Sequence, residues 1–189
     1  MTRDLAPILP QLWRLLAPYR GFGYGPRVAD SVIDCSTLTA SILRSAWGRE
    51  VVTPEVWRDL QIMDPDRPWS PMDAIGRITG RGAVYPMHGP EIPEPGRLHL
   101  MQGWTGLGPG GRVAGNSRGH AWLWVSFGVW RGMCVESSGM GPRVWDAHGI
   151  RPLSDAVSAD GRLIAPVEPM DLGVRARKWS DGIGWAVLP

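Results

Sequence analysis

The pattern of apolar residues changes once along this chain, and that change limits the folds it can adopt. Residues 5–47 hold two segments with apolar residues at helical spacing. From Ala83 onward, apolar residues instead occur in short extended runs separated by Gly, Pro, Asn and Ser. Helical segments followed by strands are typical of an α+β domain. We therefore predict N-terminal helices packed on an antiparallel sheet.

The helical part of the sequence predicts four helices. Residues 5–19 form the first, despite two prolines, and the second begins after a Gly-rich turn, with Cys35 at or near its start and Gly48 as its stop signal. Thr53 and Ser70 are each followed by proline and soon by an acidic residue, which predicts two further short helices. The extended part predicts strands in the runs AVYPM, RLHLMQGW, HAWLWVSFGVW and GMCVESS.

Domain organisation follows from length and from the lack of a linker. With 189 residues and no internal repeat, residues 1–189 are predicted to form a single domain. We divide it into an N-terminal helix (1–22), a core (23–149) and a C-terminal extension (150–189). A short helix is predicted near 153–158. The final charged stretch, which contains Arg175, Arg177, Lys178 and Trp179, is predicted to be a solvated face.

Composition excludes several classes of protein. A net charge of +2 gives no argument for nucleic-acid binding. The longest stretch without charged residues is 14 residues, from Leu98 to Gly111, whereas a membrane-spanning helix needs about 18 to 20 apolar residues. Two cysteines are too few for a disulfide framework, and no Cys or His spacing fits zinc, so we expect no metal or other cofactor. No export signal is readable at the N-terminus, which predicts a chain made in the cytoplasm.

Two residues stand out as a nucleophile and a base. A thiol at a helix N-terminus is stabilised as thiolate by the unpaired N–H groups and the helix dipole, which favours Cys35. An activated thiol of this kind would react at pH values well below about 8.5, which is the pKa of a free thiol. Of four histidines, His120 opens the most strand-like run and is the best placed base, with Glu136 of the next run able to orient it. Cys134 lies inside a strand and is predicted to be a buried, inert thiol.

These motifs, taken in order, resemble those of the NlpC-type papain-like cysteine peptidases, which cut bacterial cell-wall peptides. The resemblance covers residues 22–145. It rests on Tyr24 in a Gly-rich turn, Asp34-Cys35-Ser36 at a helix start, Pro95-Gly96 before a strand, Gly119-His120 opening a hydrophobic strand, and Glu136 before the small residues 137–139. The chain departs from the family pattern at Thr37, where Gly is usual, and at Arg97, where Asp is usual.

The resemblance implies a papain-like fold and assigns roles to residues. Cys35 would be the nucleophile and His120 the base, while Tyr24 and Ser36 would lie at the oxyanion and substrate side of the site. The third catalytic position is commonly His, Asn or Gln in the family. Glu136 is our first choice for it, with Asp146 and His148 as alternatives.

By the same resemblance, the expected function is hydrolysis of amide bonds in peptidoglycan stem peptides. Without an export signal, such an enzyme would reach the wall on a phage tail or similar particle, or after lysis. Two alternatives stay open: a catalytically silent structural or adaptor protein of a phage-like particle, and a transglutaminase-like acyl transferase, whose histidine strand HAWLWVSFGVW also resembles.

Overall fold

The computed structural model describes residues 8–25, 31–47, 96–109, 112, 114–128, 130–177, 179 and 182–187. Four α-helices lie in these ranges: α1 (Ile8–Leu16), α2 (Cys35–Trp47), α3 (Leu153–Ala156) and α4 (Leu172–Ala176), and a 3-10 turn, Ala17–Tyr19, follows α1. Both predicted N-terminal helices and the predicted short helix near residue 153 are confirmed. The helices predicted from Thr53 and Ser70 and the strand predicted at AVYPM lie outside the described residues.

All described strands belong to one antiparallel sheet. The strands are β1 (Leu98–Thr105), β2 (Arg118–Gly128), β3 (Arg131–Ser138), β4 (Gly141–Asp146), β5 (Gly149–Pro152), β6 (Met170–Asp171) and β7 (Gly182–Val187). Their order is β5-β4-β3-β2-β1-β7, with the two-residue β6 paired to β3. Strands β1 to β5 are therefore sequential neighbours, and the C-terminal β7 returns to pair with β1. The predicted α+β class with an antiparallel sheet is confirmed.

One face of the sheet packs against helix α2, and α1 packs on α2. Helix α2 lies on β2 and β3, and its residues Leu38 and Ile42 are fully buried there. The Ser137 hydroxyl donates to the backbone carbonyl of Ile33, 2.6 Å away, and so attaches β3 to the segment before α2.

The opposite face of the sheet is also covered. Side chains alternate between faces along a strand, so His120, Trp122 and Trp124 share one face, and Trp124 lies opposite Cys134 of β3. Burial on both faces explains why β2 is a nearly continuous apolar run, since neither set of alternating positions meets water.

The C-terminal segment forms part of this second cover, which corrects the sequence prediction. Arg175 and Trp179 are only 2% and 5% exposed, although a solvated face was expected, whereas Arg177 is exposed. A run of charged residues indicates solvation only when nothing in the fold pairs with it, and Arg175 has a buried carboxylate as its partner.

Candidate functional site

The start of α2 is fixed by a capping aspartate. Asp34 Oδ1 accepts hydrogen bonds from the backbone N–H of Thr37, at 2.7 Å, and from the Ser36 hydroxyl, at 2.9 Å. This is the usual N-cap arrangement, and it makes Cys35 the first residue of the helix. The Asp-Cys-Ser motif thus has a structural basis: aspartate caps the helix that presents the thiol.

The Gly-rich turn brings Tyr24 beside this helix start. Gly23 donates to the carbonyl of Ser31 at 2.6 Å and accepts from the N–H of Ile33 at 3.0 Å, so the turn runs alongside the segment that leads into α2. Partial burial and the charges of Cys35 and Asp34 raise the pKa of Tyr24. Its side chain is 47% exposed, so Tyr24 lies at the surface next to the cysteine.

The Cys35 thiol lies where α2 meets β2. It is 8% exposed, and it faces the backbone N–H groups of Ala121 and Ser36. Ala121 follows His120 directly, so the helix start and the histidine strand meet at this point. Of Ser36, it is the backbone N–H that faces the thiol, because the hydroxyl is engaged by Asp34.

The electrostatics of Cys35 differ from the sequence prediction. Burial raises the pKa of the thiol, the neighbouring N–H groups lower it and the charge of Asp34 raises it again, and the net effect is upward. The thiolate-stabilising field of the helix N-terminus is thus outweighed by burial. The sequence argument for a low-pKa thiol considered the helix start alone, and the direction of the pKa shift at Cys35 is the opposite one.

His120 is bound to Glu136 inside the sheet. His120 Nε2 and Glu136 Oε2 are 2.9 Å apart, and the two residues are 6% and 1% exposed. Burial alone raises the pKa of Glu136, but the hydrogen bond and charge of His120, the charge of Arg175 and the hydrogen bonds of Arg143 outweigh burial and hold it well below its ordinary value. An ionised carboxylate can only accept hydrogen bonds, so Nε2 carries a hydrogen whether the ring is charged or neutral, and Nδ1 is the nitrogen that gains or loses the proton.

Both oxygens of Glu136 have further donors. Oε1 accepts from Arg143 Nε at 2.9 Å and from Arg143 Nη2 at 2.5 Å. Oε2 accepts from Arg175 Nη2 and from the Cys134 thiol, whose sulfur lies 3.3 Å away. Burial raises the pKa of Cys134 well above its ordinary value, which fits the predicted unreactive thiol. Glu136 is thus a buried anion held by five donor atoms from four side chains.

Two indole rings lie against the imidazole of His120. The ring centroids of Trp122 and Trp179 are 5.7 and 5.4 Å from that of His120, with interplanar angles of 21° and 10°. The Arg175 guanidinium lies over the Trp122 ring at 4.5 Å and over the Trp145 ring at 5.1 Å. The centroids of the two indoles are themselves 6.1 Å apart, so the three roughly parallel rings form a triangular cluster that packs against the imidazole.

A glycine in β1 provides the space for Trp179. Gly103 lies directly opposite His120 in the β1–β2 register. A Cβ atom at Gly103 would lie 2.5 Å from Cγ of Trp179, far inside normal contact. The absence of a side chain at Gly103 therefore lets Trp179 reach the histidine.

Asp146 and His148, the alternatives for the third catalytic position, have partners other than His120. Asp146 accepts from Arg151 Nη2 at 2.7 Å and from the backbone N–H groups of His148 and Glu168. His148 Nε2 lies 3.7 Å from a carboxylate oxygen of Glu168, and both side chains are largely exposed. Of the three residues considered for the third position, Glu136 is the one bound to His120.

The sequence prediction missed Arg143, Arg175 and Trp179. Arg143 could have been found, because it lies opposite Glu136 in the β3–β4 hairpin, where opposite charges commonly pair. Arg175 and Trp179 lie 39 and 59 residues from their partners Glu136 and His120, and no local pattern joins them.

Comparisons with known proteins assign this chain to no family. A search of protein-family models finds no match, and searches of curated proteins and of solved structures find no significant match. No helix in the described ranges is long and apolar enough to cross a membrane. Within the same part of the chain, no group of three or more His, Cys, Asp or Glu residues is placed to hold a metal ion.

Proposed function

We propose that this chain is a papain-like cysteine hydrolase that cleaves amide bonds in peptidoglycan stem peptides. One observation carries the proposal: a cysteine at a helix start meets the strand of a histidine that is bound, at 2.9 Å, to a buried carboxylate. Cys35, His120 and Glu136 come from three different elements: His120 and Glu136 are bound to each other, and the thiol faces the backbone N–H of the residue that follows His120. The proposal requires the thiol to reach the imidazole when substrate binds, so that the three act as nucleophile, base and orienting group.

In the proposed reaction, Cys35 Sγ attacks the carbonyl carbon of the scissile amide while His120 Nδ1 takes the thiol proton. The C–N bond then breaks, and the imidazolium returns the proton to the leaving amine. Water, deprotonated by His120, attacks the resulting thioester and releases the acid and the free thiol. Glu136 holds the ring through Nε2 and stabilises its charged form, without itself taking the proton.

The raised pKa of Cys35 indicates at which stage of the proposed reaction the thiol loses its proton. A thiol that is protonated in the free protein is deprotonated by His120 during the attack, and not before substrate binds. The oxyanion that forms would be met by the backbone N–H of Cys35 and the hydroxyl of Tyr24. A raised pKa keeps that hydroxyl protonated and able to donate.

The substrate class rests on the family resemblance of residues 22–145. Peptidoglycan stem peptides are the substrates that this resemblance implies, and a phage tail or a similar particle, or lysis of the cell, would bring the enzyme to the wall. Neither a metal nor another cofactor takes part in the proposed steps.

The burial of Cys35 favours a second candidate, a structural or adaptor protein of a phage-like particle without catalysis. A thiol that is 8% exposed and has a raised pKa is also what a structural cysteine would show. In that case the His120–Glu136 pair would serve only to stabilise the sheet.

Digestion of purified peptidoglycan, followed by mass spectrometry of the soluble fragments, separates these candidates. We expect the native chain to release defined peptides, Cys35→Ala and His120→Ala to release none, and His148→Ala, which alters an exposed histidine away from the site, to act like the native chain. A fragment that has gained an added amine instead of water would indicate acyl transfer of the transglutaminase type. Intact walls from several chemotypes with every variant would favour the structural candidate.

A further inference from the structure

We infer that Arg175, in the C-terminal segment, is a positioning residue that sets the orientation of His120 through Glu136. This inference rests on the proposed function. It assigns the C-terminal segment a part in the active site.

The first step concerns which oxygen of Glu136 each arginine holds. Arg143 binds Oε1, whereas Arg175 Nη2 binds Oε2, the oxygen that also accepts from His120 Nε2. A carboxylate fixed at Oε1 alone can still pivot about that contact. Arg175 is therefore the charged group that holds the histidine-binding oxygen in place, beside the weaker thiol donor of Cys134.

The second step concerns charge. Glu136 is buried and would favour its neutral acid without cations beside it. As a protonated acid it could donate a hydrogen bond, and His120 Nε2 would then be free to lose its hydrogen. Two arginines at the carboxylate keep it an acceptor, which keeps the hydrogen on Nε2 and the basic lone pair on Nδ1.

The third step concerns rigidity. Arg175 is 2% exposed, and its guanidinium lies over the rings of Trp122 and Trp179, the same two indoles that lie against His120. Movement of Arg175 would therefore disturb both the hydrogen-bond partner of the imidazole and the two indole rings that pack against it.

The test compares Arg175→Met and Arg175→Lys with Arg177→Met, which alters an exposed arginine just after α4. The readouts are the Nε2–H proton resonance of His120, assigned with His120→Gln, and kcat and KM for wall digestion. We expect Arg175→Met to shift or abolish that resonance and to lower kcat by about a hundredfold at nearly constant KM. Arg175→Lys should give a smaller change in the same direction, and Arg177→Met should match the native protein.

The outcomes are separable from those of the proposed function, because the resonance is read without substrate. Native resonance and native kcat in a folded Arg175 variant would overturn the inference, and so would failure of both Arg175 variants to fold, since Arg175 would then act in folding alone. A resonance that depends on Arg175 in a protein that cuts no wall would instead refute the proposed function and leave the positioning of His120 supported.

Discussion

Replacing Glu136 with glutamine tests the centre of the site, because it keeps the shape of the side chain and removes its charge. In the native protein the carboxylate is the counter-ion of both Arg143 and Arg175. Removing one partner of a buried ion pair typically costs about 3–5 kcal/mol, since an uncompensated charge remains. One oxygen of glutamine can still accept hydrogen bonds, so we expect Glu136→Gln to lower the free energy of unfolding by an amount in that range.

Asp146→Asn is the matched control. Asp146 is as buried as Glu136 and also pairs with an arginine, Arg151, but its hydrogen bonds lie away from His120. We expect Asp146→Asn to destabilise the protein as well, by less, because the Arg151 side chain is 20% exposed and water can partly solvate it. Only Glu136→Gln should also abolish hydrolysis, since only it changes the group that orients the imidazole.

The assay is urea unfolding followed by tryptophan fluorescence, together with wall digestion by each folded variant. Two results would refute the reasoning. A loss of less than about 1 kcal/mol in Glu136→Gln would mean that the carboxylate is not the required counter-ion of Arg143 and Arg175. Full activity in Glu136→Gln, with loss in Asp146→Asn, would mean that Glu136 does not orient His120.

Three further predictions follow from individual contacts. Gly103→Ala should lower the free energy of unfolding by about 1–3 kcal/mol, because its Cβ would collide with Trp179. Gly128→Ala, with nothing within 4 Å of its Cβ, should change that free energy by less than about 0.5 kcal/mol in the same urea titration. Equal effects of the two variants would contradict the close contact between Gly103 and Trp179. Burial lowers the pKa of His99 to about 4, below the 6.5 of an unperturbed histidine. The free energy of unfolding should therefore fall by up to about 3 kcal/mol between pH 6.5 and pH 4, because the unfolded chain takes up the proton first. His99→Gln should make the free energy of unfolding depend less on pH in this range. Burial also raises the pKa of Cys35, so its alkylation rate in the free protein should keep rising through pH 9, and a plateau near neutral pH would reveal a thiolate formed before substrate binds.

The elements that depend on the local spacing of apolar residues could be predicted from the sequence. Helical spacing is a local signal, and α2, which was predicted to have Cys35 at or near its start, begins at Cys35. The apolar runs that became β1, β2 and β3 were equally clear, because strands buried on both faces need continuous apolar residues. The pairing of His120 with Glu136 also followed, since consecutive strands are usually neighbours in a sheet.

The remainder depends on contacts that no local pattern contains. Strands β4 and β5 carry Gly, Pro and Arg and lack a clear alternation, so pairing with β3 defines them more than propensity does. The prediction for the tail is wrong because the partners of Arg175 lie in β2, β3 and β4, and pairing of β6 with β3 and of β7 with β1 brings that segment over the sheet. The pKa of Cys35 was misjudged for a similar reason: a helix start can be recognised in sequence, but the burial of the thiol by the sheet cannot.

The most direct test of the central claim is the digestion rate of peptidoglycan by Cys35→Ala, His120→Ala and the double variant. Residues that act as one unit lose their effect together, so we predict that each single variant abolishes the release of peptides and that the double variant is no slower than either. Substantial release by Cys35→Ala, or a double variant slowed by the product of the two single effects, would contradict the claim that Cys35 and His120 form one catalytic unit.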